Sequence, residues 1–198
     1  MDQKALFRIE YGLYLVTTRD GTKDNGAILN AVIQVTSVPA RVAVTVNNKG
    51  YTRELIGKTG VLSLCPLSEK TPFSVFQRFG MQSGRDVDKF KGEHAIRAGN
   101  GLFFLPAYCT AVICLRVMHE VALGTHTVFI CDVEEAEILS DEATMTYSYY
   151  HANVKGRSPQ KQGCVCRICG YVYEGNGLPA DFICPICGHG AADFEPLS

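Results

Sequence analysis

Cys166-Arg167-Ile168-Cys169-Gly170-Tyr171 is followed, after fourteen residues counted from Cys169, by Cys184-Pro185-Ile186-Cys187-Gly188. Two residues between paired cysteines let one tight loop place both thiolates on a single tetrahedral ion. A glycine follows each pair, and its freedom to take positive φ lets the backbone curl its N–H groups toward the sulfurs. Such hydrogen bonds tune the potential of thiolate-bound iron. Spacing alone does not name the metal, because tetrahedral sulfur sites accept zinc or iron. Tyr171, Tyr173, Phe182 and Phe194 are available to cover the site. Cys164 makes a Cys-x-Cys with Cys166, but one intervening residue is too few for the same loop, so it reads as a spectator thiol.

Upstream, His151 to Gly163 is polar and basic and reads as a linker, able to span on the order of 20 Å if flexible. The expected organisation is therefore a domain over 1–152, a linker over 153–163 and the cysteine unit over 164–198. The charge divides at the same place. The part before Cys164 carries 18 Lys+Arg against 16 Asp+Glu, whereas the tail has Arg167 alone against Glu174, Asp181, Asp193 and Glu195. An acidic carrier tethered to a slightly basic domain could dock electrostatically; two solvated surfaces of unlike composition explain the split equally well.

The other four cysteines, Cys65, Cys109, Cys114 and Cys131, sit singly in apolar runs and are expected to fill the core as small hydrophobes. The chain has 198 residues, of which 46% are hydrophobic and 20% charged, enough for a sizeable core. A net charge of -1 argues against a nucleic-acid or membrane-surface partner, both of which need a basic patch. No apolar run reaches the roughly 18 residues of a membrane span, and the first residues lack a signal-peptide pattern, so a soluble, cytoplasmic protein is expected.

The first 150 residues read as mostly β. Strand candidates are Leu13–Thr18, Ala27–Ser37, Arg41–Val46, Val61–Cys65, Ala111–Val117 and His126–Glu137, with Arg19–Gly26 as a polar turn. Two short helices interrupt them, one near Thr52–Lys58 and one with Thr71 as N-cap, Pro72 at the first position and Gly80 beyond the end. Many strands with few helices predict a closed or nearly closed barrel. No Gly-x-Gly-x-x-Gly follows a strand, and no Gly-x-x-x-x-Gly-Lys-Ser/Thr loop exists, which speaks against a Rossmann domain.

Within the barrel, Asn30, Val32, Gln34 and Thr36 share one strand face, an amide and hydroxyl row that could bond the edge of a flat heterocycle. An ordinary solvated sheet face fits the same row. Asn47-Asn48-Lys49-Gly50-Tyr51-Thr52 leads into a helix whose N-terminal N–H groups favour an anion. Gly80 to Lys89, with Ser83, Gly84 and Arg85, adds hydroxyl, free backbone and guanidinium.

Two resemblances sharpen these readings. Cys166 to Tyr173, Leu178 to Gly188 and Asp193-Phe194-Glu195-Pro196 resemble rubredoxin, although the stretch between the pairs is shorter, as in the tail domain of rubrerythrin. Phe182 stands where rubredoxins usually carry tryptophan. That resemblance implies one iron on Cys166, Cys169, Cys184 and Cys187. Tyr11-Gly12-Leu13-Tyr14, Asn25-Gly26, Asn30, Gln34-Val35-Thr36-Ser37, Asn48-Lys49, Tyr51-Thr52 and Phe79-Gly80-x-x-Ser83-Gly84-Arg85-Asp86 resemble the flavin reductase-like, split-barrel family that binds FMN. Gly124 to Phe129 and Tyr149-Tyr150-His151 fit its later strands, while Ala31 departs from the threonine common after that asparagine.

The resemblance implies that Asn30, Gln34, Thr36 and Ser37 contact the flavin ring or ribityl chain. Asn48, Lys49, Thr52, Ser83, Gly84 and Arg85 would then surround the phosphate, and His126 would line the nicotinamide side, although a core histidine is the plainer reading of a lone imidazole. Barrel and tail together resemble the high-molecular-weight rubredoxin family, NAD(P)H-linked electron donors to flavodiiron proteins that reduce oxygen or nitric oxide. A homodimer is implied as well. Two other readings stay open: a flavin reductase that releases reduced FMN beside a structural zinc ribbon, and a pure carrier reduced by a separate enzyme.

Overall fold

The computed structural model describes residues 5, 8–21, 23–155, 163–168, 172–175, 177–184 and 188–196. The chain divides into two compact units, Met1–Val154 and Lys155–Ser198. The division falls inside the predicted linker, of which 156–162 lie outside the described residues.

The first unit is built on one antiparallel sheet. Its strands are β1 (Tyr14–Asp20), β2 (Lys23–Leu29), β3 (Val32–Ser37), β4 (Ala40–Asn47), β5 (Val61–Pro66), β8 (Ala111–Leu123) and β9 (His126–Ile138), in the order β2-β1-β5-β8-β9-β4-β3. The short pair β6 (Ile96–Arg97) and β7 (Phe103–Phe104) stands apart. β2 and β3 are successive in sequence yet lie at opposite edges of the seven-stranded sheet, and only Asn30 and Ala31 join them. Three Cα–Cα steps reach at most about 11 Å. The sheet must therefore curl until its edges nearly meet, which makes a barrel split at β2/β3.

Alternation places β1 side chains in two cores. Leu15 packs with Cys65, Leu67, Phe76 and Phe79 on one face, and Val16 packs with Val44, Leu62, Leu115 and Phe129 on the other. Helix α1 (Tyr51–Thr59) covers the second core with Ile56, and helix α2 (Phe73–Gly80) covers the first with Val75, Phe76 and Phe79. Each such fully buried side chain contributes about 1.5–3 kcal/mol. The four scattered cysteines are all buried, and burial pushes the Cys131 thiol up to about 12. They are core residues.

Four expectations change. The polar stretch Arg19–Gly26 is not a long turn: the chain reverses at Gly21 (φ 55°), and Lys23–Gly26 already belong to β2. Long-range partners hold those polar residues in the strand, since Arg97 grips Asp24 with two bonds of 3.1 Å and Asn25 donates to Thr52 at 2.8 Å. The run Ala27–Ser37 breaks at Asn30–Ala31, and a bulge between Gln34 and Thr36 ends the regular alternation. Helix α2 starts one residue later than expected, because the Thr71 hydroxyl donates to the Tyr108 carbonyl at 3.1 Å and Pro72 becomes the N-cap. Tyr149-Tyr150-His151 is helical rather than extended. Thr146 caps a short third helix, α3 (Tyr147–Tyr149), accepting from the Tyr149 N–H at 3.1 Å, and a wide π-type turn follows over Tyr150–Val154.

The second unit is a three-stranded sheet, β11 (Val172–Glu174), β10 (Gly163–Cys166) and β12 (Phe194–Pro196), in that order. Among the described residues no helix is long and apolar enough to cross a membrane.

Candidate functional site

A cavity of about 270 Å³ opens where the end of β2, the start of α1 and the loop after α2 converge. Lys49, Thr52, Ser83 and Gly84 all line it, so the structure brings these four expected residues together. Gly50 caps α1 without a side-chain hydrogen bond, which leaves the first helical N–H groups at the cavity wall. They and the helix dipole favour an anion there. Thr52 is buried and its hydroxyl accepts from the Asn25 carboxamide at 2.8 Å, so its own proton is free to point elsewhere. Gly84 passes so close to Asn25 that a Cβ there would stand 1.9 Å from the buried Asn25 Oδ1. Among the described residues that oxygen has no hydrogen-bond partner.

Lys89, the last residue of the Gly80–Lys89 segment, supplies the cavity's buried charge. Only 4% exposed, it donates from Nζ to the carbonyls of Gly26 at 2.8 Å and Phe79 at 3.0 Å. An ammonium has three protons, and among the described residues no carboxylate pairs with this one. Burial lowers its pKa from the usual 10.5 to about 8. A buried cation without a counter-ion at an uncapped helix start is suited to a phosphate. In the sequence Lys89 looks like one more charge in a polar loop; its burial is set by α2 and β2, which are remote in the chain.

The remaining expected residues lie elsewhere. Arg85 is outside the cavity lining, ion-paired to Glu54 at 2.5 Å with its guanidinium 4.9 Å from the Tyr51 ring centroid. The Asn48 carboxamide is engaged at both ends, donating to the Gly124 carbonyl at 2.8 Å and accepting from the Thr127 hydroxyl at 2.7 Å. His126 sits at the β8–β9 turn, opposite Asn47, with Nδ1 2.9 Å from the Thr125 hydroxyl. Gln34, Thr36 and Ser37 are exposed on β3, where Gln34 donates to the Thr36 carbonyl at 3.1 Å and Thr36 to that of Pro39. Asn30, with Ala31, lines a second cavity of about 670 Å³ beside Glu10, Tyr11, Tyr147 and His151. Ala27 and Ile28 border the first cavity and Asn30 and Ala31 the second, so the two follow one another along the end of β2.

In the small unit Cys166 and Cys184 are buried, at 1% and 2% exposure, while Cys169 and Cys187 lie outside the described residues. The backbone turns back at the second knuckle as the Cys-x-x-Cys-Gly pattern requires. Gly188 has φ 73° and its N–H donates to the Cys184 carbonyl at 2.9 Å, while the Cys184 N–H donates to that of His189 at 2.8 Å. Tyr173, Phe182 and Phe194 form an aromatic chain with centroids 4.8 and 5.4 Å apart; Tyr171 lies outside the described residues. Cys164, half-buried, stands on β10 opposite Tyr173 and Pro196. Buried sulfur donors of this kind fit a tetrahedral iron.

This architecture is that of a flavin-binding oxidoreductase joined to an iron-sulfur knuckle. The chain belongs to the flavin reductase like domain family, whose model matches residues 6–157, and a rubrerythrin, rubredoxin-like domain matches residues 165–195. Over the full length of both chains it is 34% identical to the high molecular weight rubredoxin of Moorella thermoacetica. It is likewise 34% identical to a ferric-chelate reductase (NAD(P)H) of Archaeoglobus fulgidus, over 81% of this chain and 95% of that one. Among solved structures, the flavin reductase PheA2 in its native state superposes with a TM-score of 0.63 at 25% identity, covering 74% of this chain and 93% of its own.

Proposed function

We propose that the barrel unit binds FMN, accepts reducing equivalents from NAD(P)H, and hands electrons to an iron held by Cys166, Cys169, Cys184 and Cys187. The observation that carries this reading is the uncompensated Lys89 ammonium in a cavity shared with Thr52, Ser83, Gly84 and the start of α1. Those groups suit a phosphate monoester. Asn30, just beyond the end of β2, then offers its carboxamide to the flavin ring. FMN supplies the conversion this chain needs, because a nicotinamide gives two electrons together and a single iron takes one.

The protein's own part is to hold and exclude. Lys89 and Thr52 neutralise and orient the phosphate, with Asn25 fixing the Thr52 hydroxyl. Phe182, between Tyr173 and Phe194, limits water near the sulfurs. The nicotinamide donor is supported by the likeness to a ferric-chelate reductase (NAD(P)H), and the electron-carrier role by the likeness to a high molecular weight rubredoxin. The acceptor we assign is a flavodiiron protein. A homodimer is part of the reading, supported by aliphatic side chains left in solvent on β3 and the far end of β8: Ile33 is 65% exposed and Leu123 is 56% exposed.

Anaerobic titration with NADH and with NADPH tests the proposal. Flavin and ferric-thiolate absorbance should bleach together, and a catalytic amount of the chain should then support oxygen or nitric oxide reduction by a flavodiiron protein. Reduced flavin beside an iron that stays oxidised would sink it.

A further inference from the structure

The second cavity has no role in the phosphate site. Its walls are aromatic: Tyr11 meets Tyr147 edge to face at 6.5 Å between centroids, and Tyr147 meets His151 at 4.5 Å. Its volume of about 670 Å³ is well inside the range of pockets that enclose organic ligands, about 300–1,000 Å³, and leaves room for a second planar ring beside one held by Asn30. Its carboxylate is Glu10. Oε1 of that residue accepts the backbone N–H groups of Tyr11 and Ser148, each at 3.3 Å, and the bonds from Ser148 lower its pKa and keep it ionised. The Ser148 hydroxyl and the Tyr147 backbone also act on this carboxylate and favour its charged form.

The charges of the two cavities are thus opposed, with Lys49 and Lys89 on one and Glu10 on the other. Anionic ligands are repelled from the aromatic cavity. A flat ring that is neutral or positive is favoured. Resting on the function proposed above, we infer that this cavity seats the nicotinamide ring of the reductant and that Glu10 is the counter-charge for its oxidised form.

The chemistry needs such a group. As the C4–H bond of the dihydronicotinamide breaks, its electron pair leaves with the hydrogen for the flavin, and one proton from solvent completes the reduced flavin. The ring left behind is a pyridinium cation. A carboxylate beside it stabilises charge that is absent in the reactant and present in the product. Tyr11, Tyr147 and His151 supply ring faces and edges that hold it flat.

The test compares two dinucleotides that differ only in the nicotinamide ring, NAD+, which is cationic, and 1,4,5,6-tetrahydro-NAD, which is neutral and cannot give hydride; the Glu10→Gln comparison isolates the charge. Each is titrated calorimetrically into the full-length, iron- and flavin-loaded chain and into two variants. In Glu10→Gln the side-chain oxygen that accepts from Tyr11 and Ser148 is kept and only the charge is lost. The wild-type preference for NAD+ over the neutral analogue should shrink about two- to fivefold in Glu10→Gln, a screened surface-charge effect. Tyr147→Ala should weaken both ligands together. Flavin content is read from the absorbance of each sample. If Glu10→Gln retains FMN and the NAD+ preference is unchanged, or if Tyr147→Ala binds both ligands as tightly as the wild type, the assignment is overturned alone. A wild-type chain without FMN overturns the proposed function and this assignment with it.

Discussion

Lys89→Met probes the anion site most directly, because methionine keeps most of the unbranched stem and deletes the charge. In the wild type the ammonium is ionised against a burial penalty that brings its pKa from 10.5 to about 8, a cost of about 3 kcal/mol to the charged form. A phosphate meeting the third N–H makes a charge-assisted hydrogen bond of about 1.5–3 kcal/mol. FMN should therefore bind about 10- to 100-fold more weakly to the variant at pH 7. Between about pH 8 and 10.5 the unfolded chain holds a proton on Lys89 that the native flavin-free chain has lost. The native flavin-free chain accordingly gains stability as pH rises through that window, by at most about 3 kcal/mol. Bound phosphate, dianionic above its second pKa of about 6, raises the lysine pKa again and removes the gain. FMN affinity must then fall above pH 8, by up to about tenfold per unit. Fluorescence titration of flavin-free protein at pH 7 and 9.5, with urea unfolding of the same samples, reads both effects. Equal affinity at the two pH values in the wild type, or full affinity in Lys89→Met, would refute the reasoning.

Thr52→Ala strands the buried Asn25 amide and should cost about 1–3 kcal/mol in urea unfolding, with Thr52→Ser restoring most of it. Gly84→Ala drives a methyl into Asn25 Oδ1 and should abolish FMN retention, measured as the flavin absorbance of the purified chain. Cys184→Ser should take iron content from one per chain to none by metal analysis while the flavin remains, since the barrel is a separate compact unit. Gel filtration should give about twice the chain mass of 21.7 kDa, and Ile33→Glu should shift that peak to the single-chain position.

What the sequence disclosed follows the range of the forces involved. Metal knuckles are local: two cysteines, two spacers and a glycine determine their own loop, so they are readable without the rest of the chain. The strands with apolar alternation, such as β4 and β5, were legible for the same reason. The polar half of β2 was not, because Asp24 and Asn25 are held in the sheet by Arg97 and by Thr52, far along the chain. Lys49, Thr52, Ser83 and Gly84 converge as their motifs suggested, yet the cation between them, Lys89, is recognisable only once α2 has buried it. The helix at Tyr147 did leave a sign, the capping Thr146, masked by a run of tyrosines that favours strands.

Asn30 and Ala31 are the only residues that carry the chain from one rim of the curled sheet to the other. A molecule that grips both Asn30 and Lys89 would act as a clasp at the β2 lip of an opening that the backbone itself leaves unlaced. Amide protons of β2 and β3 should accordingly exchange with solvent more slowly once the clasp is fastened. Losing the cofactor and loosening the barrel would then be one event seen from two sides.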